Sequence, residues 1–95
     1  MNSLLLVGRI VKINDNNIKL AIKRYYKNEY GIYETDFFTI KLNDNLMEKI
    51  KLYCRKGDLI GIKGKLETDN NKVVVIAERL TFLASQQIGS EETNE

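Results

Sequence analysis

The chain has 95 residues, of which 43% are apolar and 29% charged, the composition of one small soluble globular domain. One cysteine, Cys54, and no histidine exclude an internal disulfide, the usual zinc sites and every Ser/His or Cys/His nucleophile pair, so no enzyme, cofactor or metal site is expected. Net charge is +2, spread unevenly: residues 84–95 carry Glu91, Glu92 and Glu95 and no cation, whereas all 15 Lys and Arg lie in residues 1–83, a basic body suited to a polyanion.

Residues 4–13 read as a first strand, apolar on both parities and so covered on both faces. Gly8 in its interior suggests a bulge or bend of the kind barrel closure needs. Asn14-Asp15-Asn16-Asn17 is a turn. Residues 18–26 form a second strand, with Ile18, Leu20 and Ile22 alternating with Lys19, Ala21 and Lys23. Lys27-Asn28-Glu29-Tyr30-Gly31 makes a hairpin tip, and residues 33–42 return as a third strand. Phe38, Ile40 and Leu42 share one face of it; Thr35, Phe37, Thr39 and Lys41 share the other.

Residues 45–55 form the helix. Leu46, Met47, Ile50, Tyr53 and Cys54 make one apolar stripe. Asn45 with Glu48 resembles a capping box, and Gly57 ends the helix. Residues 58–67 form a fourth strand, Asp69-Asn70-Asn71 a tight turn, and residues 72–83 a fifth strand opening on Val73-Val74-Val75-Ile76-Ala77. Residues 84–95 lack apolar periodicity and read as an acidic disordered tail behind a domain of residues 1–83. No apolar run approaches 18 residues, so neither a spanning helix nor a membrane partner is expected. Met1-Asn2-Ser3 opens no signal peptide, which makes the cytoplasm the expected location.

This order predicts an all-β protein: a five-stranded OB-fold barrel with one helix between strands three and four. An SH3-like barrel competes; the amphipathic helix favours OB. Leu6-Val7-Gly8-Arg9, Glu34-Thr35-Asp36-Phe37-Phe38, Tyr53 to Ile60 and Gly61 to Thr68 then resemble, in order and spacing, the bacterial single-stranded DNA-binding protein family. Val75-Ile76-Ala77-Glu78 followed by Leu80-Thr81-Phe82-Leu83 extends the likeness. It covers nearly all of residues 1–83. It implies an OB-fold homotetramer that binds single-stranded DNA without sequence preference in replication, recombination and repair; a homo-oligomer, tetramer or dimer, is expected. It places Phe37 where the family has a base-stacking aromatic and Tyr26 near a second. Lys41, Lys63 and Lys65 fall on strands that carry phosphate-contacting cations. Two features depart from the family. Only Asp69 to Lys72 separates the last two strands, where relatives have a long hairpin. The acidic end, Glu91-Glu92-Thr93-Asn94-Glu95, has no hydrophobic tip for partner enzymes, so recruitment of replication proteins is in doubt.

The residues make a parallel case. Single-strand binding needs a cationic groove for phosphates and flat rings on which any base can stack. Six of the eight aromatics lie between Tyr25 and Phe38, interleaved with Lys19, Lys23, Arg24, Lys27 and Lys41. Phe38 shares parity with Ile40 and Leu42, which sends Phe37 outward. Parity from Ile22 sends Tyr25 outward and Tyr26 inward, whereas the resemblance prefers Tyr26; a bulge near the hairpin reconciles them. Tyr30 and Tyr33 sit at the tip, as DNA contacts or idle surface. Lys19, Lys23, Lys41, Lys63 and Lys65 read as a phosphate-binding or merely solvated sheet face. Arg9 suits a phosphate or an acid across the first strand. Glu34 and Asp36 share a face but make a poor metal pair. RNA fits as a partner too, since stacking does not read the 2′-OH. A primosomal or replication-complex interaction subunit with weak DNA affinity is the alternative reading.

Overall fold

Alternating apolar residues give each strand one inward face, and the inward faces of five strands enclose one core. In the computed structural model, which describes residues 2–86, the strands are β1 (Leu4–Ile13), β2 (Asn17–Lys27), β3 (Tyr33–Lys41), β4 (Leu59–Asp69) and β5 (Lys72–Ala84), with helix α1 (Asp44–Tyr53) between β3 and β4. They close in the order β1-β2-β3-β5-β4, with β3 and β5 parallel and the other neighbours antiparallel. This is the expected OB-fold barrel. Ile10, Ile18, Leu20, Ile40, Ile60, Ile62, Val75 and Ala77 fill it, and Leu46, Met47 and Ile50 of α1 join the same core. β3 joins β5 only at Ile40 and Lys41, so the outer part of the β2–β3 hairpin runs on beyond the paired closure.

Two glycines permit close strand contacts. A Cβ on Gly8 would lie 2.5 Å from the Ala21 carbonyl oxygen, and one on Gly64 would collide with the Ile76 carbonyl oxygen. Gly8 therefore serves close approach rather than the bulge. The β1–β2 register shifts instead between Ile10 and Lys12. The β4–β5 turn is as tight as expected: Asn70 and Asn71 both have positive φ, 54° and 67°, as a two-residue type I′ hairpin demands.

The helix start and stripe need correction. Asn43, not Asn45, is the N-cap: its side chain accepts from the Leu46 N–H at 2.9 Å, and its carbonyl accepts from the Met47 N–H at 2.9 Å. Starting there lets the chain pass directly from buried Leu42 to buried Leu46 and Met47, while Asp44 meets the positive end of the helix dipole. The helix stops at Tyr53, and Cys54 turns extended before Gly57 is reached. Tyr53 is 73% exposed. It lies about 60° round the helix from Ile50, at the margin of the stripe in the last turn.

Asp58 is buried yet fully engaged. Its carboxylate accepts from the Arg55 N–H at 2.8 Å and the Gln86 N–H at 3.2 Å, while its carbonyl accepts from the Ile10 N–H at 3.0 Å. It ties the exit of α1 to β1 and to the chain beyond β5. The body thus reaches past residue 83: Ala84 belongs to β5 and Gln86 is bonded to Asp58. The rest of the expected tail, residues 87–95, lies outside the described residues. No described helix is long and apolar enough to cross a membrane.

Not every apolar face is covered. Leu5 and Val7 of β1 and Leu83 of β5 are exposed and line a shallow groove across β1, β4 and β5. The cover expected on both faces of β1 is therefore not supplied by the described residues of one chain.

Candidate nucleic-acid interface

The outer face of the β2–β3 hairpin is built by register. Lys19 pairs with Thr39, Ala21 with Phe37 and Lys23 with Thr35, while Arg9 of β1 lies opposite Ala21. Arg9, Ala21 and Phe37 therefore form one row across three strands, at about 4.8 Å per strand. Ala21 is too small to cover its neighbour, and Phe37 stays 60% exposed. Phe38 faces the other way and packs against the core. A shallow recess of about 370 Å³, lined by Arg9, Ala21, Lys23, Thr35 and their neighbours, adjoins that row.

Beyond Lys23 the two strands part company. Register shifts between Lys23 and Lys27, so three residues of β2 oppose Glu34 alone. This bulge breaks strict parity and sends both neighbouring rings outward: Tyr25 is 91% and Tyr26 53% exposed. The rings meet edge to face at 5.3 Å. Tyr26 is thus not inward, as strict alternation would have it. Tyr30 and Tyr33 are exposed too. The Lys23 and Lys27 ammonium groups lie 5.4 and 5.7 Å from the Tyr33 ring centre, within cation–π range. Lys27, one of the cations interleaved with the aromatics in the sequence, thus joins Lys23 beside a ring.

The cations divide into groups. Among the described residues, Lys19, Lys23 and Lys63 have no carboxylate within ion-pair distance, and Lys41 and Lys65 pair with Asp69 and Glu67 at 3.3 and 3.2 Å. Both pairs are exposed, so they are weak and yield readily to a phosphate. Lys41, Ile76 and Lys65 form a row across β3, β5 and β4, which brings Lys65 to the same wall as Lys41. Lys63 lies opposite Leu5 and Arg79, on the apolar groove rather than beside the hairpin. Arg9 meets no acid among the described residues; it donates to the Gly57 carbonyl at 2.8 Å.

Arg24 behaves differently. Its Nε and Nη2 donate to the two Asp36 oxygens, both at 2.9 Å, and its Nη1 lies 3.0 Å from Glu34. The hydrogen bonds to Asp36 hold the guanidinium pKa above its ordinary value, and the same bonds hold the Asp36 carboxyl below its own. Glu34 and Asp36 are thus committed to a cation of the chain. No group of three or more possible metal ligands occurs among the described residues.

The family model described as the single-strand binding protein family matches residues 1–83. The chain belongs to the single-strand binding protein family. Single-stranded DNA-binding protein B of Bacillus subtilis is 34% identical over 77 residues, covering 70% of this chain and 68% of that one. The Bacillus cereus single-stranded DNA-binding protein is 31% identical over 97% of this chain, which spans 65% of the relative's length. In fold, the chain is similar to a Plasmodium falciparum family member solved with single-stranded DNA (TM-score 0.69, 21% identity, 87% of this chain and 95% of that one). It is also similar to a mitochondrial family member of S. cerevisiae (TM-score 0.68, 16% identity, 90% of this chain and 96% of that one).

Proposed function

We infer that this chain binds single-stranded DNA without reading its sequence, using the outer face of β2 and β3. The outward Phe37 ring, in one row with Arg9 and flanked by four exposed tyrosines and unpaired lysines, carries the reading. Bases stack on Phe37, Tyr26, Tyr25, Tyr30 and Tyr33, each of which offers a π-face that accepts any base. Phosphates meet Lys19, Lys23, Lys41, Lys65 and Arg9. Lys63 contributes where DNA continues around β4. The role is coating rather than catalysis, and it supports replication, recombination and repair in the cytoplasm. Titration of DNA and RNA oligomers of several lengths at two salt concentrations tests it. Binding should be similar across sequences and fall steeply with salt. Lys41→Ala should flatten the slope of log K against log salt by about one. Sequence-selective or salt-insensitive binding, or no binding at all, would refute the reading, and in the last case the alternative of an interaction subunit would stand.

The groove across β1, β4 and β5 favours a second element of the same reading. Leu5, Val7 and Leu83 are exposed together, and contiguous apolar surface of this kind marks a protein contact. We propose that a second copy of the chain covers it. Val7→Asp should then yield a smaller species on gel filtration, and an unchanged elution volume at monomer size for both proteins would refute it.

A further inference from the structure

The hairpin tip is held by a chain of polar contacts that starts at Arg24. Arg24 joins Asp36 and Glu34 across the bulge. The Glu34 carboxylate in turn accepts from the Asn28 side-chain amide at 2.9 Å. The Asn28 side-chain oxygen accepts from the Tyr30 N–H at 2.8 Å and the Ile32 N–H at 3.0 Å. One continuous path thus runs from the middle of β3, through the bulge, to the backbone of the tip. Tyr25, Tyr26, Tyr30 and Tyr33 all project from the segment it spans. Arg24 has both faces of its charge answered by acids, which sets it apart from Lys19 and Lys23 on the same strand.

We propose that Arg24 is a positioning residue: with Asp36, Glu34 and Asn28 it fixes the bulged hairpin so that its tyrosines stand ready for bases, and it does not itself bind phosphate. This rests on the binding reading above and deepens it. A tip that must be ordered on binding loses affinity with every side chain it has to immobilise. Ordering it beforehand removes that cost from each encounter with DNA.

Two variants separate positioning from direct contact. The triple variant Arg24→Met, Glu34→Gln, Asp36→Asn removes one cation and two acids, so simple electrostatics would leave binding equal or tighter. Positioning requires the opposite. Affinity for oligo-dT should fall roughly 5- to 150-fold, as expected where two of the four tyrosines must be ordered on binding. The salt slope should match that of the unaltered protein, with less quenching of tyrosine fluorescence at saturation. Asn28→Ala changes no charge and should weaken binding in the same direction, again with an unchanged slope; it stands as the test if the triple variant does not fold. A slope lowered by about one in the triple variant would make Arg24 a phosphate ligand. Unaltered affinity in Asn28→Ala would show that the tip needs no such support. Either result overturns the proposal, and both leave binding through Phe37 intact.

Discussion

Adjacent phenylalanines with opposite orientations offer a sharp experiment. Phe37 keeps 60% of its surface exposed. A phenylalanine can bury roughly 200 Å², so its covered part is about 80 Å², or about 2 kcal/mol at 25 cal/mol per Å². Alanine retains the backbone and Cβ share of that contact. Phe37→Ala should therefore cost about 1 kcal/mol of stability, a fall in Tm of about 4–8 °C. Its effect on binding should be larger. Losing one stacked base costs about 1–3 kcal/mol, a rise in Kd of about 5- to 150-fold. Phe38→Ala reverses the pattern. Its ring packs against the core, so truncation should cost about 3 kcal/mol, with affinity little changed wherever the protein stays folded. Thermal unfolding and anisotropy titration with oligo-dT measure both quantities on the same samples. If Phe37→Ala bound DNA as tightly as the unaltered protein, or if Phe38→Ala proved the poorer binder of the two, the orientation argument would collapse.

Three further outcomes follow from packing and charge. The Asp36 carboxyl titrates below its ordinary value of 3.8, because Arg24 donates to it. The stability it contributes is complete above that ordinary value and is lost only as pH falls through the lower folded value; a carboxyl titration by NMR with a midpoint at or above 3.8 would contradict this. Burial first, and Asp58 second, push the Cys54 thiol up, so alkylation of the native protein near pH 8 should be far slower than after unfolding; equal rates would place the thiol at the surface. Gly64→Ala would press a Cβ against the Ile76 carbonyl. It should cost about 2 kcal/mol or more, visible as a lowered urea midpoint, and an unchanged midpoint would mean that β4 and β5 separate freely at that point.

Strand periodicity was legible because it is local: a two-residue repeat in Ile18, Leu20 and Ile22 states which face is buried, whatever partner covers it. The five strands lie within two residues of where alternation places them, and Phe37 points outward as its parity with Thr35 and Thr39 requires. The acidic tail was legible only as composition. The cap was not so readily chosen, since Asn43, Asp44 and Asn45 are chemically similar and only the need to bury Leu46 and Met47 selects the first.

What pattern alone could not supply is whatever depends on a distant strand. The bulge that turns both Tyr25 and Tyr26 outward arises because three residues of β2 face one of β3. Arg24 looks like another cation of a basic hairpin until Asp36, twelve residues away, takes its guanidinium. Lys63 and Lys65 alternate identically along β4, yet closure of the barrel sets one beside Leu5 and the other in line with Lys41. The amino-acid order determined which residues are apolar, charged or flat and on which face of a strand they fall. Barrel closure decided which of them meet, because a side chain's charge and exposure are set by neighbours that the chain brings from elsewhere.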